Sequence, residues 1–190
     1  MAYIWENISY LLNGNDKQKK AYETLKKIEV FHILKKFNPI LVGTIPINID
    51  TENSDLDIIC EVYDFDEFEG ILRTHFKGMT GLKINKDERE GIKNLVANFI
   101  YGEFIIEIFG QPVPTTKQNG YKHMIIEERL LKIGGDEFKR EIIKLKKEGI
   151  KTEPAFARRL NIEGNPYFEL LKLEDFSDEK LLEMIHYNRI

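Results

Sequence analysis

The chain has 190 residues, of which 42% are hydrophobic and 32% charged, the balance of a folded globular protein and not of a disordered one. That length allows one sizeable core, or a compact catalytic half with a smaller appended half. A formal charge of −4 excludes a global pull toward nucleic acid, so a polyanionic partner needs a local basic patch or metal ions.

Cys60 is the only cysteine, which excludes an intrachain disulfide and fits a reducing compartment. Within the apolar run Asp57–Val62 it reads as a core filler. The start, Met1-Ala-Tyr-Ile-Trp-Glu-Asn, lacks the basic and apolar regions of a signal peptide. No segment reaches the roughly 20 apolar residues of a membrane span. We therefore expect a cytoplasmic protein without a membrane partner.

In chain order, residues 3–12 read as a short helix with Tyr3, Ile4, Ile8 and Leu11 on one side. Asn13-Gly14-Asn15-Asp16 breaks it, and Asn15 or Asp16 is placed to cap the next helix. From 16 to 37, Ala21, Leu25, Ile28, Phe31, Ile33 and Leu34 recur at mostly helical spacing. Lysines 17, 19, 20, 26, 27, 35 and 36 lie between them and read as a solvated face. Pro39 bars further helix, and Ile40-Leu41-Val42 is a buried-strand run ending at Gly43. The polar loop Asp50–Ser54 leads to a second strand over 56–62. A helix is predicted over 65–77 and strands over 82–85, 94–101 and 103–109, the last two joined by a turn at Gly102. After Gln111-Pro-Val-Pro114 the pattern turns helical, at about 122–133, 135–148, 153–160, 166–173 and 178–187. The expected fold class is α+β: a mixed sheet with flanking helices over 1–114, then an all-helical region over 115–190.

The chemistry concentrates between Gly43-Thr44 and Ser54-Asp55-Leu56-Asp57. Side chains on a strand alternate faces, so Asp55 and Asp57 are expected on one side and Leu56 and Ile58 on the other. Two ionised carboxylates at such spacing repel unless a cation lies between them. Mg²⁺ (or Mn²⁺), sharing its shell among carboxylates, water and phosphates, suits them. Gly43 lets backbone approach a ligand, and the adjacent N–H groups and the Thr44 hydroxyl are suited to phosphate oxygens. A two-metal site needs a third carboxylate from a neighbouring strand. Glu107, flanked by isoleucines, is costly there unless paired, which makes it the best candidate. Glu103 reads as an exposed strand end, and Glu61 as a weaker alternative.

These residues carry a resemblance. Nucleotidyltransferases of the DNA polymerase beta superfamily have a Gly-Ser element, a spacer and a Ser-Asp-x-Asp pair, and the interval from Gly43 to Asp55 matches that of small bacterial members. The chain also looks similar to a group of bacterial nucleotidyltransferase-like proteins sharing Gln111-Pro-Val-Pro, Tyr121-Lys-His-Met and Lys151-Thr-Glu-Pro-Ala-Phe-Ala. The resemblance implies a palm in which Asp55 and Asp57 bind Mg²⁺, with Glu107 as third ligand or base. Gly43 and Thr44 would contact nucleotide phosphates, with Ser54 beside them. The implied partners are a nucleoside triphosphate and a hydroxyl acceptor (small molecule, protein or RNA). Where small members often place an arginine–glycine step, this chain reads Ile45-Pro46-Ile47-Asn48. That departure motivates the alternative of a non-catalytic nucleotide-binding or partner-binding protein on the same fold.

Among the remaining polar residues, His123 reads as a capping or core hydrogen-bonding group and Arg129 as one half of an intrahelical ion pair. Gln111, Lys117, Tyr121 and Lys122 follow the third-carboxylate strand closely and are placed to line the same cleft. Arg158-Arg159 reads as a basic step, either solvated or reaching a nucleotide.

Overall fold

The computed structural model describes Trp5, residues 7–89 and residues 91–187. Tyr3 and Ile4 of the first expected helix lie outside the described residues; Ile8–Asn13 form a 3-10 turn. Helix α1, Asp16–Lys27, opens with a capping box in which Asn15 and Gln18 bond each other's backbone reciprocally. The single helix expected over 16–37 is broken. Glu29 adopts φ 53, and α2, Val30–Ile33, follows with a 3-10 turn at Lys35–Phe37. The apolar pattern explains the break: Leu25 and Ile28 are buried, but so are Val30, Leu34 and Phe37. No straight helix turns both sets to one side, so the chain re-phases between them.

Five strands follow: β1 (Ile40–Val42), β2 (Leu56–Glu61), β3 (Thr80–Arg89), β4 (Ile92–Tyr101) and β5 (Phe104–Gln111), with α3 (Phe65–Phe76) between β2 and β3. They form one sheet in the order β1-β2-β5-β4-β3. The β2–β5 pair is parallel and the other pairs are antiparallel. Alternation gives the sheet one apolar face. Leu56, Ile58 and Cys60 of β2, Leu95, Ala97 and Phe99 of β4, and Phe104, Ile106 and Ile108 of β5 share a core with Leu25, Phe68, Leu72 and Phe76 from the helices. Cys60 is fully buried, and burial pushes its thiol pKa up, so it is a core filler. The lysines between the apolar positions of α1 and α2 are exposed, apart from the half-buried Lys17.

The chain divides into two units: residues 1–48 with 54–121, and residues 49–53 with 122–190. The second contains α4 (Asn119–Lys147) from Lys122 onward, α5 (Thr152–Arg159), α6 (Pro166–Glu169), the 3-10 segment Leu170–Asp175 and α7 (Asp178–Tyr187). Helix α4 is kinked at Gly135, whose φ of 68 and ψ of −166 lie where only glycine sits without strain. The expected break at Gly134-Gly135 is therefore a kink and not a loop. Among the described residues, no helix is long and apolar enough to cross a membrane.

Candidate active site

The carboxylates lie on the sheet face opposite the apolar core. In β2, Leu56, Ile58 and Cys60 are buried with the core, which turns Asp57 to the other side. The parallel register sets Asp57 beside Glu107, and the antiparallel register sets Asn98 on the other side of Glu107. Adjacent strands run about 4.8 Å apart, so two half-buried carboxylates on neighbouring strands share one small region of the sheet. Asp55 precedes β2 and is exposed.

Gly43 ends β1 with φ 85, and a Cβ built on it would stand 2.7 Å from Oδ2 of Asp57. The next residue, Thr44, donates its hydroxyl to Ser54 Oγ at 3.1 Å. That bond ties the turn after β1 to the residue just before Asp55. The Gly-Thr and Ser-Asp-x-Asp elements, separate in sequence, are thus joined at both ends. The donor set is all oxygen, with carboxylates from two strands, and it suits a hard divalent cation such as Mg²⁺ or Mn²⁺.

The segment that departs from the family pattern is well packed. Ile45, Pro46 and Ile47 are buried, and Asn48 closes the turn with φ 58. Buried Gln18 donates from Nε2 to the carbonyls of Ile45, at 2.8 Å, and Pro46, at 3.1 Å. Asn15 Nδ2 donates to Asn48 Oδ1 at 2.7 Å. The capping residues of α1 therefore hold the loop. Their local pattern was readable in sequence, but their tertiary role was not.

The family model described as a domain of unknown function, DUF4269, matches residues 23–173. The chain belongs to the DUF4269 family. No curated protein matches the DUF4269 chain in sequence. Among solved structures it is similar to the Cid1 poly(U) polymerase with MgGTP bound, at TM-score 0.53 and 13% identity, over 82% of this chain and 49% of that one. It is similar also to Cid1 with Mg 3'-dATP bound, at TM-score 0.52 and 14% identity, over 82% and 48%. A third structure, of Cid1 described for its RNA terminal uridylyl transferase activity, matches at TM-score 0.52 and 13% identity over the same shares. The DUF4269 chain spans about half the length of these structures. At such identity the likeness is one of fold: the five-stranded mixed sheet and the helices that follow it have the palm-type arrangement of these structures.

Two expectations for the DUF4269 chain need correction, at Arg129 and at Arg159. Arg129 makes no intrahelical pair: it binds Asp178 Oδ1 at 2.7 Å and the Phe176 carbonyl at 2.6 Å, fastening α4 to the start of α7. Arg159 is neither solvated nor placed for a nucleotide. It is 2% exposed, paired with Glu141, bonded to the Ile185 carbonyl at 3.3 Å and laid over the Phe138 ring. Lys122 pairs with Glu174 at 3.4 Å, Lys117 is exposed, and Tyr121 is buried. Glu103 is an exposed turn residue paired with Lys20 at 2.9 Å. Glu61, at the far end of β2, accepts from Asn38 Nδ2 and Tyr63 Oη. An open cleft of about 620 Å³, lined by Tyr63, Asp66, Lys86, Lys93 and Asn94 among others, lies beyond that end of β2 and away from Asp57.

His123 is a core residue, and it has company that went unforeseen. One ligand atom each of His123, Glu127 and Glu153 lies within 4.8 Å of the others. Glu127 is 3% exposed. Burial first, and then the neighbouring Glu153 charge, hold its carboxyl well above the ordinary range, against the opposing pull of Lys146. Burial lowers the His123 pKa, opposed by Glu153 and by a hydrogen bond to the Tyr167 backbone. The i, i+4 spacing of His123 and Glu127 was visible in the helical pattern. Glu153, from another helix, was not.

Proposed function

We propose that this chain is a metal-dependent nucleotidyltransferase that moves an NMP group from an NTP to a hydroxyl acceptor. The observation that carries the reading is the Asp57–Glu107 register with Gly43 closed against Asp57, on a fold similar to that of Cid1. Asp55, Asp57 and Glu107 are the residues we assign to Mg²⁺ or Mn²⁺, and Gly43, Thr44 and Ser54 those we assign to the nucleotide phosphates.

The metal, when bound, supplies charge neutralisation at the phosphates. Glu107 takes the proton of the acceptor hydroxyl as its oxygen bonds to the α-phosphorus; the bond from that phosphorus to the bridging oxygen breaks, and pyrophosphate leaves in line. The bonded turn at Thr44 and Ser54 orients the triphosphate, so that positioning contributes much of the rate. The transfer chemistry of the palm does not by itself select the acceptor, since one fold serves many substrates.

The test is incubation of the full chain with labelled NTPs, Mg²⁺ or Mn²⁺, and small-molecule, protein and RNA acceptors. Metal-dependent label transfer that disappears in Asp57→Ala is the expected result. Wild-type protein that neither binds Mn²⁺–NTP nor responds to Asp57→Ala would overturn it. A second reading, nucleotide binding without transfer, is favoured by the buried apolar turn Ile45–Ile47 where a basic group is usual. Tight Mn²⁺–NTP binding with no turnover on any acceptor would support it instead.

A further inference from the structure

We propose that His123, Glu127 and Glu153 form a second metal site, in the helical unit, for a divalent transition-metal ion of the zinc type. The three residues share no member with the palm carboxylates. His123 and Glu127 stand one turn apart on α4, and Glu153 comes from the first turn of α5. Their ligand atoms lie within 4.8 Å of one another. Around a zinc ion, nitrogen and oxygen ligands sit about 2.0–2.2 Å from the metal and hence roughly 3–4 Å apart. A small rotation of two glutamate side chains closes that difference.

The second observation is the state of the buried atoms. Glu127 Oε1 and His123 Nδ1 are shielded from solvent and have no hydrogen-bond partner, while their residues are 3% and 7% exposed. An orphaned buried acceptor costs about 1–3 kcal/mol, and two of them converge on one point. A buried imidazole nitrogen that no protein group engages can serve a metal as ligand. Lys146 is the nearby cation, and its Nζ donates to Thr152 Oγ1 at 2.9 Å. Glu127 Oε1 is still left without a partner.

The donor set selects the ion. An imidazole with two carboxylates suits Zn²⁺ or a similar first-row ion, whereas Mg²⁺ takes oxygen ligands and keeps much of its water. One imidazole and two carboxylates leave a coordination position for water or a substrate group. In the resting protein the ion ties α4 to α5.

The experiment uses the full chain carrying Asp57→Ala, stripped with chelator, so that the palm does not contribute. Titration with Co²⁺, followed by visible absorption, and with Zn²⁺, followed by bound-metal analysis, is expected to show one equivalent bound with a rise in Tm. Glu127→Gln keeps the shape and neutrality of a buried group and is expected to fold. It should weaken Co²⁺ binding by more than about 100-fold, as should His123→Ala. Failure of the Asp57→Ala protein to take up either metal overturns the proposal, and so does uptake that Glu127→Gln leaves unchanged. Loss of the palm activity has no bearing on either outcome.

Discussion

Oδ2 of Asp57 occupies the space that a side chain at Gly43 would need, since a Cβ there would lie 2.7 Å away. The backbone at Gly43, with φ 85, adds a conformational cost for any other residue. Gly43→Ala is expected to cost about 1–3 kcal/mol in urea denaturation and to weaken Mn²⁺-dependent NTP binding by moving Asp57. In an Asp57→Ala background the clash disappears and only the backbone cost remains. Equal costs in the two backgrounds would show that the contact is not the reason for glycine.

Asp57 and Glu107 stand side by side in parallel register, so a bound cation should stabilise the folded chain. A ligand at 100 times its Kd contributes about 2.7 kcal/mol. Thermal melts with and without Mn²⁺ should show that gain in the wild type and its loss in both Asp57→Asn and Glu107→Gln.

Gln18 is the anchor of the Ile45–Asn48 turn. Gln18→Glu keeps its size, but an ionised carboxylate has no proton to donate, and two buried carbonyls lose their partner. A loss of about 1–3 kcal/mol is expected, with a higher KM for the NTP because the turn adjoins Thr44. A variant as stable as wild type would mean that water or relaxation satisfies those carbonyls.

Glu127 sets the sign of one pH dependence. Its folded pKa is raised above the ordinary 4.5 by burial and by Glu153, with Lys146 opposing and His123 alongside. The unfolded chain gives up this proton first, so the contribution of Glu127 is fully present below about pH 4.5 and is lost as pH rises through the folded pKa. With chelator present, Glu127→Gln should therefore match wild type near pH 4 and become progressively more stable than it toward pH 8. Equal melting curves across that range would refute the assignment.

Much of the palm was legible from residue order because its signals are local. Alternation in 56–61 and 104–109 decides which carboxylates leave the core, and Gly102 marks the hairpin that brings β5 back beside β4. The strand pairing of Asp57 with Glu107 needed only that alternation and a plausible neighbour. What escaped was set by tertiary partners. Glu29 breaks a helix whose lysines and leucines read as continuous, because the buried set changes phase there. Arg159 looks like a surface cation until Glu141, Phe138 and the Ile185 carbonyl enclose it. Glu153 joins His123 and Glu127 only because two helices fold together, and no spacing in the sequence encodes that meeting.

The parallel pairing of β2 with β5 also governs the order of assembly. The β3–β4 and β4–β5 pairs are hairpins between consecutive strands, whose short loops close quickly. The β2–β5 pair must wait until α3 and both hairpins have returned the chain to β2. Asp57 and Glu107 meet only through that pair and are therefore expected to come together late in folding. Stopped-flow refolding should show capacity for Mn²⁺ appearing with the slowest phase, after strand signal has begun to rise. Capacity gained in the earliest phase would place the parallel pair in the folding nucleus instead. A nascent chain that has not yet emerged beyond β4 has the glycine, the threonine and both aspartates, and still lacks the strand that sets Glu107 beside Asp57.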